Sequence, residues 1–280
     1  MSSRIPNGDE GSPVCKREIP RFARNGNTHP RHKSFSKFLM KNFYSGTSGL
    51  VLPVKNKLEY PEEHRDKSRL HYYSTLFNTI ELNSIFYKLP RKQTVEKWSN
   101  EVIHNFKFTF KLSKEITHCK DLNFDKAAIK NFIDVLEVPQ SKQGCILMQF
   151  PGKIKSAYQP KLEKLLALLP ANWKPAVEFR DISWYSPPTI KLLNTFNATC
   201  VIHDIKPFTT ELLADTTTIY IRFHGTEKNY RGSYPNEVLA DYAIKIREWL
   251  KEGRTVYAYF NNTLGAAAQN LIMLNKLVSL

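Results

Sequence analysis

Eight short apolar or β-branched runs, each followed by a longer stretch with helical spacing, constrain this chain more than any other feature. The runs fall at 42–49, 78–83, 107–112, 145–150, 176–180, 199–204, 219–225 and 255–262. Between them, apolar residues recur every three or four positions, the mark of one buried helical face. Examples are Ile129, Phe132 and Leu136, then Leu162, Leu165 and Leu169, then Leu239, Tyr242, Ile246 and Trp249. Helices are expected at 61–76, 91–99, 125–136, 160–169, 187–196, 236–250 and 265–278. Only 206–217 is weak, offering at most one turn around 211–214. Strand alternating with helix eight times is the pattern of an α/β chain folded as a (β/α)8 TIM-like barrel, and the span 42–280 suits the roughly 250 residues such a fold takes. The competing reading is an open doubly wound sheet. That fold would place a glycine-rich dinucleotide turn after its first strand, and GTSG at 46–49 is too short for one. A single barrel domain over 42–280 is expected.

Residues 1–41 read differently. Pro, Gly, Ser, Asn and basic residues dominate without apolar period, so a disordered basic tail is expected. It lacks the apolar centre of a secretory signal, and Asp9, Glu10 and Glu18 argue against an organelle presequence. Past the tail the chain stays basic, contributing to the net charge of +15. That balance favours anionic partners, although no short window packs Lys and Arg into a binding stripe. No run approaches the 18 or so apolar residues of a membrane span, so no membrane partner is expected. Of the four cysteines, none lies in a C-x-x-C pair, and Cys145 and Cys200 sit inside apolar strands. Reduced buried thiols in a reducing, cytoplasmic compartment are the simplest account.

The strands alternate. Glu178 and Arg180 share one face against Val177 and Phe179, and Tyr220, Arg222 and His224 oppose Ile219, Ile221 and Phe223. Since the helices bring Leu and Phe, the apolar faces must meet them, which turns the polar faces toward the axis. Glu81, Asn83, Lys111, Gln149, Glu178, Arg180, Arg222, His224 and Asn261 then converge near the carboxyl ends of their strands, where barrel enzymes build their sites. Asp204, His118 and Tyr230 lie just beyond, with Phe86, Tyr87, Trp184 and Tyr185 thickening the same end. Trp98 and Trp173 belong to the outer or opposite side.

Burying so many ionisable groups is costly unless they pair or meet a ligand. Two compatible readings follow. One is a mutual network in which Glu81, Glu178 and Asp204 balance Lys111, Arg180 and Arg222. The other is a site where the cations hold an anionic or polyhydroxylated small molecule while Glu178 or His224 moves protons. No cofactor is expected. No H-x-x-x-H or H-x-H spacing supports a metal, the nearby Lys and Arg would repel a divalent cation, and no G-x-S-x-G or phosphate loop occurs.

The motifs GTSG, IELNSIFYKLP, KFTFKLSKEITH, ILMQFP, AVEFRDISW, YIRFHG, NYRGSY and YAYFNN stand in the order of the YecE-like family, known as domain of unknown function 72, and the chain resembles that family from about Tyr44 to Val278. The resemblance implies a barrel related to the (β/α)8 fold. It implies no reaction. It places Glu81, Tyr87, Lys111, Thr117, His118, Gln149, Glu178, Arg180, Trp184, Asp204, Arg222, His224, Tyr230, Asn261 and Asn262 in the family's motif set. Two positions depart from it: Leu50 stands where the family has Trp, and Ile85 where it has Thr.

The leading expectation is acid–base chemistry, of a hydrolase or lyase kind, on a carbohydrate or phosphate ester. Glu178, His224 and Lys111 are its candidate catalytic groups. Glu81, Tyr87, His118, Gln149, Arg180, Trp184, Asp204, Arg222, Tyr230, Asn261 and Asn262 would bind the ligand. The competing expectations are a nucleic-acid-binding barrel, endonuclease-like, motivated by the basic body and rim aromatics, and a non-catalytic ligand-binding scaffold. None of these motifs speaks to oligomeric state.

Overall fold

The computed structural model describes residues 40–204 and 216–280. Most of the basic tail and of the weak 206–217 stretch therefore lies outside the described residues. Strands and helices alternate as follows: β1 (Phe43–Thr47), α1 (Arg69–Leu76), β2 (Thr79–Leu82), α2 (Lys92–Glu101), β3 (Lys107–Lys111), α3 (Lys114–Thr117), α4 (Lys126–Val135), β4 (Gln143–Phe150), α5 (Gln159–Leu166), β5 (Lys174–Phe179), α6 (Pro187–Thr195), β6 (Thr199–Cys200), β7 (Ile202–His203), β8 (Thr218–Phe223), α7 (Asn236–Lys251), β9 (Thr255–Phe260) and α8 (Ala267–Val278). Helix α1 begins later than its apolar spacing suggests. Ser68, extended, accepts a hydrogen bond from the His71 amide and caps the helix there, after separate turns at Lys57–Glu59 and Glu62–His64.

Every ladder is parallel. The strands form two sheets, one ordered β1-β9-β8-β7 and the other β2-β3-β4-β5-β6, where one continuous sheet was expected. The sixth sequence run divides between them. Thr199 and Cys200 pair with β5, Ile202 and His203 pair with β8, and Val201 between them donates its amide to the Val177 carbonyl at 2.9 Å. At the other seam, β1 and β2 are joined by a single parallel bridge, Ser48 to Glu81, and by the Gly49 amide on the Glu81 carbonyl at 2.7 Å.

Two apolar clusters result from the strand alternation. The larger lies between sheets and helices and includes Ile80, Phe108, Val177, Phe179, Ile219, Ile221 and Phe223 with Ile129, Phe132, Leu162, Leu239 and Leu271 from the helices. Trp173 is buried in it and Trp98 packs against it. The smaller cluster joins the two sheets: Cys145, Leu147, Ala176, Val201, Tyr220, Tyr257 and Tyr259. Tyr259 places its hydroxyl 2.7 Å from both Thr79 Oγ1 and Thr109 Oγ1, so the middle of this layer is tied by hydroxyls. Cys145 and Cys200 are buried free thiols. No helix among the described residues is long and apolar enough to cross a membrane.

Candidate functional site

Arg222 is the centre of the polar face. It sits near the end of β8 with 1% of its surface exposed, and a guanidinium there needs acceptors on every side. Glu81, from β2, takes it bidentately: Nη2 to Oε1 at 2.7 Å and Nε to Oε2 at 3.0 Å. Nη1 donates to Glu178 Oε2, from β5, at 2.6 Å. Glu81 is completed by Ser48 Oγ and Tyr220 OH, each donating at 2.6 Å. Burial alone would raise the Glu81 carboxyl, but the charge and hydrogen bonds of Arg222 outweigh it and hold it below the usual carboxylate range. Glu178 shows the same contest. Burial pushes it up, and Arg222 and then Arg180 pull it well below an ordinary glutamate. Arg180 Nη2 lies 2.6 Å from Glu178 Oε1.

His224 extends this network to the strand ends. Its Nε2 lies 3.2 Å from Arg180 Nη2 and 3.4 Å from Arg222 Nη1. Guanidiniums only donate, so Nε2 is the accepting nitrogen and Nδ1 carries the hydrogen, which it donates to Asp204 Oδ1 at 3.1 Å. The His224 backbone amide also donates to the Asp204 carboxylate, and so does the hydroxyl of Tyr234, itself fixed by the Gly225 amide at 2.6 Å. Burial would raise Asp204, and these donors keep it ionised below the usual range. Glu178 Oε1 stands 3.6 Å from His224 Nε2, so the ring lies between two carboxylates.

Lys111, ending β3, differs from the arginines. Its Nζ donates to Gln149 Oε1 at 2.9 Å and lies 4.3 Å from the centroid of the Phe86 ring. No carboxylate of the described residues forms an ion pair with it, because Glu81 and Glu178 are already taken by Arg222 and Arg180. Burial, followed by the charge of Arg222, brings its ammonium down to about 8. Folding therefore works against the charged form. The cost is full below pH 8, where both folded and unfolded chains carry the proton, and fades as pH rises toward the ordinary lysine value near 10.4. Lys111→Met should accordingly stabilise the protein at pH 7 by ~1–2 kcal/mol, with the gain shrinking by pH 9.5. Urea unfolding at the two pH values checks this.

The remaining expected residues separate into groups. His118 touches the Phe86 ring edge-on, centroids 5.0 Å apart, and hydrogen-bonds Thr117 Oγ1 at 2.9 Å. Burial, then Lys111, Lys153 and Lys114, lower it to about 4, so it is neutral at pH 7. Tyr87 is largely exposed, and half-exposed Tyr230 places its ring 6.2 Å from that of His224. Trp184 is not brought to the cluster. It is buried against Phe179, rings stacked at 4.5 Å, with Nε1 on the Ile154 carbonyl. Asn262 serves the fold by donating to the Gly232 carbonyl and Asn270 Oδ1, each at 3.1 Å. Asn261 is buried beside it, its amide on the Phe223 carbonyl. Asn83 follows β2 at the same strand end.

Sequence reasoning passed over Ser48, Tyr220 and Tyr234 as functional groups. Tyr220 was within reach, since it stands two residues before Arg222 on the same strand face; Tyr234 closes the NYRGSY motif, but its sequence position does not show that it meets Asp204. Two clefts, of about 650 and 430 Å³, open near the amino ends of the strands, the first beside Lys92, Gln143 and Trp173, the second beside Lys41, Tyr44 and Lys107. Neither includes the Arg222 cluster. No group of three or more His, Cys, Asp or Glu that could hold a metal occurs among the described residues.

A family described as "Protein of unknown function DUF72" matches residues 44–280. The UPF0759 protein YunF of Bacillus subtilis is 27% identical over 247 residues, covering 75% of this chain and 86% of YunF. The UPF0759 protein YecE of Escherichia coli K12 is 26% identical over 117 residues, 42% of this chain and 43% of YecE. Among solved structures, a DUF72 family protein from Thermotoga maritima superposes with a TM-score of 0.64 at 26% identity, covering 85% of this chain and 99% of that one. Another from Enterococcus faecalis gives 0.69 at 20% identity, covering 85% and 98%.

Proposed function

The chain belongs to the DUF72 family, and from its site we propose that it is an enzyme whose strand-end cluster binds an anionic small molecule and performs acid–base chemistry with His224. In this reading the two sheets work as one (β/α)8 barrel. Its seams are Val201, handed from β5 to the next strand, and the Ser48–Glu81 bridge. The observation that carries the proposal is the imidazole of His224, oriented by Asp204 through Nδ1 with Nε2 turned to Arg180. A carboxylate that fixes the tautomer and stabilises the imidazolium is the arrangement a general base requires.

Proton transfer falls to His224 rather than Glu178. A carboxylate held by two guanidiniums gives up its proton too readily to act as an acid. Glu178 and Glu81 instead hold Arg222 and Arg180 in place. Arg180, with about a fifth of its side chain exposed, and Lys111 supply the positive charge that draws the anion. The reaction is of hydrolase or lyase type, with a phosphorylated or carboxylated compound as substrate.

A thermal-shift panel tests the binding step. Phosphorylated sugars and small carboxylates should raise Tm in a concentration-dependent way, since a ligand at a hundred times its Kd adds about 2.7 kcal/mol to stability. Neutral sugars should not. Arg180→Gln should remove the shift, and His224→Gln should bind the stabilising compound but leave it unconverted. Equal stabilisation by neutral sugars, or none by any anion, overturns the reading.

A further inference from the structure

Among the lysines at the strand ends, Lys111 combines three properties that an anion-binding lysine does not need together. Its Nζ is positioned by one neutral acceptor, Gln149 Oε1, and rests on the face of Phe86. It forms no ion pair among the described residues, while the carboxylates beside it belong to arginines. It also stands one register step from the catalytic network: Gln149 pairs with Glu178 across the β4–β5 ladder, and Glu178 holds Arg180, which meets His224. Other lysines are spent differently. Lys92 pairs with Glu137, Lys130 with Asp134, and Lys142 donates to the carbonyls of Ser99 and Val102. An amine kept from water and given no counter-ion is poised as a nucleophile.

We propose that Lys111 forms an imine with the carbonyl carbon of an anionic aldehyde or ketone bound at this site. The inference rests on the anion-binding reading above and deepens it by naming the substrate class. The Nζ lone pair attacks the carbonyl carbon, and the C–N bond forms as the carbonyl π pair moves to oxygen. Oxygen takes up a proton, giving a carbinolamine. Nitrogen loses a proton, the hydroxyl takes up a second proton and leaves as water while the nitrogen lone pair forms C=N, and the iminium nitrogen then gives up its remaining proton to leave the imine. Amine and carbonyl thus become imine and water, with no change of oxidation state. The imine, once protonated, withdraws electrons from the adjacent carbon, and His224 supplies the base for removing a proton there. Arg180 holds the substrate's anionic group.

Reductive trapping decides the matter. The full-length protein is incubated with sodium cyanoborohydride and, in separate reactions, glyoxylate, pyruvate, glyceraldehyde 3-phosphate or neutral glyceraldehyde. Intact mass and peptide mapping are then read. At carbonyl concentrations that leave surface lysines unmodified, one adduct per chain is expected on Lys111 with an anionic carbonyl. Lys111→Met should abolish it, and Arg180→Gln should slow it about tenfold. Its rate should level off near pH 8, where the Lys111 amine is half deprotonated, while surface lysines continue to gain through pH 10. Labelling spread over surface lysines, or a pattern unchanged in Lys111→Met, overturns the proposal. If anions still shift Tm but Lys111 takes no label, the imine falls and the anion site stands. If neither occurs, both fall.

Discussion

Arg222→Met should leave the chain unable to fold cooperatively, or fold it with a loss of ~3–5 kcal/mol, the range found when one partner of a buried ion pair is removed. Both carboxylates bound by this guanidinium are fully buried, and neither has water to turn to. Glu178 would keep Arg180, whereas Glu81 would keep only Ser48 and Tyr220 as donors. Since a domain's whole stability is about 5–15 kcal/mol, such a loss should show as a collapse of soluble yield or of the urea midpoint. The pH dependence has a definite sign. In the native protein the folded-state pKa values of Glu81 and Glu178 are depressed. Their stabilisation is present above the ordinary carboxylate range and is lost as pH falls through the folded values. In Arg222→Met the deficit should narrow in acid, where the orphaned carboxylates can take protons. Replacing all three residues together, Arg222→Met with Glu81→Gln and Glu178→Gln, should recover much of the stability. An Arg222→Met protein with an unchanged midpoint would show that the network carries no structural role.

Gly46→Ala should be comparably severe for a purely steric reason. A Cβ at that position would lie 2.1 Å from the Thr79 carbonyl oxygen and 2.9 Å from its carbon, backbone atoms that cannot swing aside. Strands β1 and β2 approach each other there, and Tyr73 occupies the same corner, hydrogen-bonding Thr47 N at 2.8 Å and donating to Thr79 O at 3.1 Å. Making room would shift β2 and with it Glu81. The expected loss is at least ~3 kcal/mol, the upper part of the range for overpacking a dense interior. Gly49→Ala is the control. Gly49 has φ of +91°, so a side chain is strained there, but nothing lies within 4 Å of its would-be Cβ. It should cost only about 1–2 kcal/mol. Equal losses for the two variants in chemical denaturation would mean that close approach is not what the first glycine serves.

The strand positions were legible because a parallel sheet covered by helices imposes apolar faces in period two, and each of the eight runs contains a strand at its place. Which residues meet across the sheets was legible only as a set. Glu81, Glu178 and Arg222 could be placed on one face from alternation, but the pairing of Arg222 with both carboxylates depends on register between distant strands. That register commits both carboxylates to arginines and leaves Lys111 with no ion pair among the described residues. The division at Val201 was hidden because a single residue that changes partners leaves no mark on hydropathy. Trp184 was misjudged as a rim aromatic because sequence distance from a strand end does not say which side of the strand a ring will take. It folds back onto Phe179, in the layer facing the helices.

The tyrosine layer beneath Arg222 closes one side of the polar cluster. Tyr220 bonds Glu81 from below, and Tyr259 spans Thr79 and Thr109 behind it, leaving a plugged floor rather than a tunnel. On the proposed reading, a ligand would therefore come to Arg222 and leave it by the strand-end side.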